Sequence, residues 1–145
     1  MAKPKPEKKP NPAPTTAQRE YARSIGLKVS RDATRSDLFV AVLKRHARRR
    51  RLAKIVYLTS IDGKSWSARI EPYAFQRSRE GLRVRCFVHP DDPEPDVVAD
   101  FQTSGWHLYL VDDIEDVSDG GDSFAPRPYS RVEDEATFSI EDAQS

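Results

Sequence analysis

The sequence of 145 residues has one cysteine, three histidines and no long apolar run. Because Cys86 has no second cysteine to pair with, an intramolecular disulfide is excluded, and nothing indicates an oxidising compartment. No segment is apolar for long enough to span a bilayer, and the basic first residues lack the apolar stretch of a secretory signal. We therefore expect a cytoplasmic protein that does not enter membranes.

Patterns that carry catalysis are missing as well. No nucleophile motif lies near His46, His89 or His107, and the sequence has neither a Gly-x-Ser-x-Gly elbow nor a phosphate-binding loop. Cys86-x-x-His89 begins a metal-ligand spacing, but no second Cys/His pair completes tetrahedral coordination, so a core cysteine is the expected role. The sequence predicts a protein that is not an enzyme and that uses no metal or cofactor.

What the sequence does have is a strong segregation of charge. Residues 1–54 carry 16 Lys and Arg against 4 Asp and Glu, whereas residues 55–145 carry 8 against 19. The first part is suited to polyanions and the second part repels them. Alternatively, the acidic part keeps the protein soluble, or it folds back onto the basic part and masks it.

The basic part begins with an arm rich in proline and lysine. Residues 1–14 have a composition that favours extended conformations and cannot bury a core, so we expect this arm to be disordered. Thr15 or Thr16 can then cap a first short helix, because a threonine oxygen accepts from the free N–H groups of the first turn. Gly26 is expected to end this helix.

A second predicted helix carries the basic residues. Thr34 and Asp37 have the spacing of a capping box, and the helix is expected to run on through the basic stretch to Arg51. Three arginines at i, i+3 and i+4 share one face and can straddle a phosphate backbone, which gives affinity without base specificity. The alternative is a solvated helix end whose cations complement the helix dipole. The predicted nucleic-acid-binding residues are Lys44, Arg45, Arg48, Arg49, Arg50, Arg51 and Lys54.

From Ile55 the helical pattern gives way to the alternation of β-strands. Strands are predicted over residues 55–59, 66–75, 82–88, 97–101 and 107–111. Pro72 is expected to interrupt pairing in the second strand, because it has no N–H to donate. From Asp112 the chain has 11 acidic and 2 basic residues, which is typical of a disordered tail. The predicted fold class is α+β: a two-helix N-terminal element, then a small antiparallel β-barrel or strongly bent sheet, with disordered tails.

The β-region also carries a series of short motifs. In order they are Ile55-x-Tyr57, Asp62-Gly63, Arg69-x-Glu71-Pro72-Tyr73, the Leu82–Val88 strand, Tyr109-x-Val111-Asp112-x-Ile114-x-x-Val117 and Phe124-x-Pro126. This series resembles the WYL family, over residues 54–126. The resemblance implies an SH3-like or Sm-like β-barrel of the kind found in bacterial and phage transcriptional regulators and defence-associated proteins. It also implies the sensing of ligands such as nucleotides or nucleic-acid fragments.

Two departures from the WYL pattern change what the resemblance implies. Leu110 and Asp113 stand where the family commonly has arginines, so the barrel is expected to be a scaffold whose ligand affinity is weakened or redirected. Between Thr15 and Lys54 there is no room for the winged helix-turn-helix of WYL regulators; this segment instead resembles a SAP-type helix-extension-helix element, which binds DNA. The expected segments are a basic arm (1–14), a helical basic element (15–53), a WYL-like barrel (54–126) and an acidic tail (127–145).

A second candidate site lies on the β-region. Alternation puts Arg69, Arg83 and Arg85 on the polar faces of two strands, and if these strands pair the three arginines converge on one face. The alternative is that these arginines pair with Glu71 and the acidic tail on an ordinary polar face. The predicted residues for a nucleotide or other anionic ligand are Tyr57, Arg69, Tyr73, Arg83, Arg85 and His107.

These patterns lead to two hypotheses of different kinds. In the first, a non-enzymatic regulatory or accessory protein, with a role such as transcription regulation, binds DNA or RNA through its basic helical segment. It uses the barrel for ligand sensing or docking. In the second, a protein–protein adaptor of bacterial or phage origin contacts a host factor through the barrel and the acidic tail. An enzyme acting on nucleic acid is a third hypothesis, which no constellation of residues supports.

Overall fold

The computed structural model describes residues 11–58, 63–90, 105–127 and 137–139. The predicted α+β class is confirmed, because two α-helices precede an antiparallel sheet. The predicted strand over residues 97–101 lies outside the described residues. No helix in the described ranges is both long enough and apolar enough to cross a membrane.

The described elements follow one another in the order that the sequence predicts, with two further strands at the acidic end. In chain order they are α1 (Thr16–Ser24), α2 (Arg35–Arg49), β1 (Arg51–Leu58), β2 (Ser65–Ser78), β3 (Gly81–Pro90), β4 (Trp106–Leu110), a 3-10 turn (Val111–Asp113), β5 (Ile114–Ser123) and β6 (Thr137–Ser139).

Both helices begin at capping boxes; the box at Thr34 was predicted, and at the first helix the predicted threonine cap is Thr15. Thr15 Oγ1 accepts from the Gln18 N–H at 3.1 Å, while Gln18 Oε1 accepts from the Thr15 N–H at 2.9 Å. Thr34 and Asp37 repeat this exchange at the start of α2, with both distances at 3.1 Å. Each box satisfies N–H groups that have no partner within the helix.

The segment just before α1 is tied to the start of α2. Asn11 Oδ1 accepts from the Ser36 N–H at 2.7 Å, and the Pro12 carbonyl accepts from the Arg35 N–H at 2.8 Å. Ser36 Oγ in turn donates to Asp112 Oδ1 at 2.7 Å. The described chain is therefore hydrogen-bonded from Asn11, inside the predicted disordered arm, and the rest of that arm lies outside the described residues.

The junction between α2 and β1 differs from the prediction. The helix ends at Arg49 rather than continuing to Arg51, because Arg50 takes a left-handed conformation with φ 53° and ψ 47°. The Arg50 N–H donates to the Ala47 carbonyl at 3.1 Å, and the Arg50 carbonyl accepts from the Phe124 N–H at 2.8 Å. Strand β1 then starts at once at Arg51, four positions before the predicted strand at Ile55.

The sheet has the strand order β4-β3-β2-β1-β5. The short β6 pairs with residues 74–76 of β2, beyond the part of β2 that pairs with β1. Every pairing is antiparallel. The register between β2 and β3 shifts between Pro72 and Ala74, which confirms the predicted interruption at this proline. The prediction that the chain is disordered from Asp112 is wrong for β5, which pairs with β1 and buries Ile114 and Val117.

The sheet is strongly curled. β4 and β5 lie at opposite edges of the five-strand path, so in a flat sheet they would be about 19 Å apart at about 4.8 Å per strand. The 3-10 turn that joins them has only three residues, and such a turn advances about 2 Å per residue. The two edges must therefore approach each other at the Val111–Asp113 corner.

One hydrophobic core joins the helices to the sheet. The apolar stripe of α2 packs onto the concave face of the sheet, and Ala22 of α1 belongs to the same cluster. The most deeply buried large members are Phe39, Leu43, Ile55, Ile70 and Ile114. Because α2 covers the sheet, the helical element and the β-region stabilise each other.

Candidate functional site

The basic residues predicted to bind nucleic acid lie around the junction between α2 and β1. We call these seven residues the basic cluster: Lys44, Arg45, Arg48, Arg49, Arg50, Arg51 and Lys54. All seven are exposed or half-buried. Because the helix ends at Arg49, the last three lie on the helix cap and the first strand. The structure therefore divides these cations among α2, its cap and β1 instead of placing them along one helix.

The arginines of α2 do not all have the same surroundings. Arg45 and Arg49, one helical turn apart, line a pocket of about 160 Å³ together with Arg51, whereas Arg48 does not line it. The face that the spacing predicts for Arg45, Arg48 and Arg49 is therefore divided between a pocket and the open surface. We call this cavity the arginine pocket; its lining residues are Tyr21, Ile25, Arg45, His46, Arg49, Arg51 and Asp119.

Lys54 brings the basic cluster next to a residue predicted for the other site. In the register, Lys54 on β1 lies directly opposite Arg69 on β2. Both point away from the core, since their strand neighbours Ala53, Ile55 and Ala68 are buried. Like charges directly opposite on a sheet destabilise the pair, and an anion bound over the two residues would offset that repulsion.

A buried histidine forms one wall of the arginine pocket. His46 is 3% exposed, and its Nδ1 lies 3.0 Å from the Leu52 carbonyl oxygen, which can only accept. Nδ1 therefore carries the hydrogen, and Nε2 accepts from the Tyr21 hydroxyl at 2.7 Å. Burial lowers the pKa of His46, and the bonds to the Arg51 and Leu52 carbonyls oppose this effect. The imidazole is therefore neutral near pH 7, so it adds no charge to the pocket.

An ion pair holds the third arginine of the pocket. Arg51 Nε donates to Asp119 Oδ1, and Arg51 Nη2 donates to Oδ2 at 2.6 Å. The hydrogen bond from Arg51 is the largest of the effects that lower the pKa of Asp119. This two-point contact fixes the guanidinium plane and leaves three of its five N–H groups for another acceptor.

Stability should fall on mild acidification because of two histidines, the buried His46 and the half-buried His107. Burial lowers the pKa of both His46 and His107 in the folded protein, so the unfolded chain binds more protons below about pH 6.5. Their contribution is complete above that pH and is lost as the pH falls through it. Urea unfolding should give a lower free energy at about pH 5.5 than at about pH 7.5. The loss should shrink in His46→Gln; an equal loss in that variant would contradict the assignment.

The residues predicted for the anionic-ligand site do not form one site. Tyr57 is 5% exposed in the core, with its ring 4.6 Å from that of Tyr109. His107 also lies on the inner face, opposite Cys86 and 4.4 Å from the Tyr109 ring. Tyr73, by contrast, is part of a cluster on the outer face of the sheet, which is the face turned away from α2. The sheet therefore separates these aromatic residues instead of gathering them around a ligand.

The three arginines of that predicted site are spread along the paired strands β2 and β3. Arg69 lies opposite His89, whereas Arg83 lies six positions earlier on the same strand, or about 20 Å away. Arg83 contacts Glu80 at 3.5 Å, and the Arg85 guanidinium lies 5.2 Å from the Trp106 ring. The expected convergence of Arg69 with Arg83 and Arg85 is therefore not formed.

A buried carboxylate organises the outer face instead. Glu71, predicted on the polar face, is 1% exposed and accepts from Tyr73 Oη at 2.6 Å and from Arg127 Nε at 3.0 Å. His89 Nε2 lies 2.7 Å from its other oxygen. The Arg127 guanidinium also stacks 3.8 Å from the Phe87 ring centroid. No sequence spacing predicts this cluster, because Arg127 and Glu71 are brought together only by the path of β5.

Neither a metal site nor a relative supplies a function. Within the ranges that the structure describes, no group of His, Cys, Asp and Glu side chains could hold a metal ion. Cys86 is fully buried, and burial raises the pKa of its thiol, as in a core cysteine. Comparison with protein families, curated proteins and solved structures finds no match. The function is therefore argued from the basic cluster and its pocket.

Proposed function

We propose that this protein is a non-enzymatic, nucleic-acid-associated regulatory or accessory protein of the cytoplasm. In this proposal the basic cluster binds the phosphate backbone of DNA or RNA. One observation carries the proposal: Arg45 and Arg49 line one pocket, Arg50 follows at the helix cap, and no carboxylate among the described residues pairs with these three arginines. Cations left without anionic partners are those that can exchange counterions for phosphates.

The curled sheet, in this proposal, is a WYL-like barrel of the SH3 type that serves as a ligand-sensing or docking module. Two features support it. The edges β4 and β5 approach each other at a three-residue turn. In addition, Glu71 and Tyr73 of the strand that resembles the family bind Arg127, the residue directly after the matched Phe124-x-Pro126 motif. The motifs of the resemblance are thus in contact.

A truncation that removes residues 1–52 would not test this proposal. Such a truncation removes α2, whose Phe39 and Leu43 fill the core beneath the sheet. The remaining chain would expose that core, so lost binding would report unfolding. Charge variants of the full chain avoid this difficulty.

The test compares two variants that lose the same number of charges. Arg48→Gln, Arg49→Gln and Arg50→Gln together should weaken binding to a short duplex DNA or single-stranded RNA by at least about 10-fold at low salt. The log–log salt slope should also shrink, by about 0.9 for each lost contact on duplex DNA. Fluorescence anisotropy at several salt concentrations measures both quantities.

The matched control changes exposed cations outside the basic cluster, by Arg31→Gln, Arg77→Gln and Arg79→Gln. This control loses the same number of charges, but it should keep most of the affinity and the slope because the three arginines lie outside the basic cluster. Equal losses in the two variants would contradict a defined surface. No binding by the unaltered protein would favour the adaptor hypothesis, in which the barrel and acidic tail contact another protein.

A further inference from the structure

The arginine pocket has the geometry of a site for one small anion. It lies where the end of α1 meets α2, β1 and β5. A Cβ on Gly26 would lie 3.8 Å from Arg45 Nη1 and 4.0 Å from Arg49 Nη2, so both guanidinium groups approach the point beside Gly26 where that Cβ would be. Gly26 has a φ of +88° and no side chain to fill that point. The two arginines therefore converge on open space.

The charge of the pocket suits a dianion. Three arginines and one aspartate give its lining a formal charge of +2, since His46 is neutral. Both Asp119 oxygens are engaged by Arg51. Asp119 thus orients Arg51 and leaves Arg45 and Arg49 for a ligand. Forked guanidinium groups of this kind match the oxygens of a phosphate.

The charge and the substitution of the ligand separate a terminal phosphate from an internal one. At about 160 Å³, the pocket has room for a phosphate group. A phosphodiester inside a strand carries one charge and has a nucleoside on both sides. A phosphate monoester is largely a dianion at pH 7 and has a single substituent. That substituent can extend into solvent past the exposed Arg49.

We infer that the arginine pocket binds a phosphate monoester, at the end of a nucleic-acid strand or on a free nucleotide. For the strand end, the inference rests on the proposed function, because Arg48 and Arg50 beside the pocket would hold the adjoining backbone. The pocket then gives the protein a preference for phosphorylated ends that the open surface alone cannot provide. Tyr21 and His46 close one side of the pocket through their hydrogen bond.

The experiment compares single-stranded oligonucleotides of one sequence that carry a 5′-phosphate, a 3′-phosphate or hydroxyl ends. The full-length protein should bind at least one phosphorylated form about 10-fold more tightly than the hydroxyl form. This preference should disappear in Arg45→Gln with Arg49→Gln. The matched control, Arg48→Gln with Arg50→Gln, should bind all oligonucleotides more weakly but keep the preference.

Adenosine monophosphate and inorganic phosphate serve as further probes. If adenosine monophosphate displaces the phosphorylated oligonucleotide, and this displacement is lost with Arg45→Gln and Arg49→Gln, the result supports the pocket. If no oligonucleotide binds at all, direct binding of adenosine monophosphate supports the pocket with a free nucleotide as its ligand.

Equal binding of all three oligonucleotides without nucleotide binding would overturn the inference and leave the proposed function standing. Nucleotide binding without any oligonucleotide binding would overturn the proposed function alone. A preference that survives in the pocket variant would also overturn the inference. Thermal unfolding of each variant establishes that it is folded.

Discussion

Replacing Glu71 by alanine is expected to lower the free energy of unfolding by about 3 kcal/mol. The carboxylate is 1% exposed and contacts Tyr73, His89 and Arg127 at 2.6 to 3.0 Å. Breaking a buried ion pair costs about 3–5 kcal/mol when the remaining charge stays buried. Here the lower end applies, because the Arg127 side chain is 42% exposed and can turn to water. Urea unfolding measures the change.

Variants that each remove one partner of Glu71 provide the comparison. Tyr73→Phe should cost only about 1 kcal/mol, because the carboxylate keeps Arg127 and His89. Arg127→Gln should cost about as much as Glu71→Ala, because it leaves the buried carboxylate without its cation. The ranking is the decisive result. If Glu71→Ala were no more destabilising than Tyr73→Phe, the carboxylate would not be the centre of this cluster.

The Glu71 cluster explains what the resembling motif does in this chain. Glu71 and Tyr73 hold the segment that follows β5, through Arg127. Phe124 joins them, with its ring 5.7 Å from that of Tyr73. These residues therefore fasten the segment after β5 onto the sheet.

Local features were predictable because their causes lie within a few residues. The capping boxes at Thr15 and Thr34 depend on contacts three positions away. The core face of β3 follows from alternation, and Val84 and Cys86 are fully buried as expected. Pro72 disturbs the ladder wherever the strand lies, since its missing N–H is a property of the residue itself.

Features that depend on distant parts of the chain were not predictable. The left-handed turn at Arg50 has no glycine to signal it, and it is supported by the N–H of Phe124. Strand β5 has few apolar residues and exists because β1 pairs with it. Its acidic residues, such as Asp116 and Asp122, suit an edge strand, where charge discourages pairing with another chain.

The candidate site likewise has a part that was predictable from local sequence and a part that depends on distant residues. The sequence identified the cations, because a basic run is visible without a structure. The pocket was missed, since Tyr21 and Asp119 come from α1 and β5 and meet Arg45 only in the folded chain. Arg45 and Arg49 therefore differ from Arg48 in their surroundings, although all three are equivalent in the sequence pattern.

Replacing Gly120 by alanine is expected to lower the free energy of unfolding by about 3 kcal/mol, the upper end of the usual cost of overpacking. Gly120 is buried in the bulge between β5 and β1. A Cβ there would lie 2.7 Å from the carbonyl carbon, the oxygen and the Cβ of Leu52. Because two of these are backbone atoms, β5 would have to move away from β1, and Asp119 would lose its contact with Arg51. Urea unfolding gives the cost, and weaker binding of a phosphorylated oligonucleotide would report the disturbed pocket.

The neighbouring Gly121 separates the clash from backbone strain. Gly121 has a φ of +87°, but a Cβ there would meet no atom within 4 Å. Gly121→Ala should therefore cost only about 1 kcal/mol, the penalty of a left-handed alanine. Torsion alone would predict the opposite ranking, because Gly120 is not in the left-handed region. A larger loss from Gly121→Ala than from Gly120→Ala would mean that the turn geometry, and not the close approach of β5 to Leu52, sets the register at this bulge.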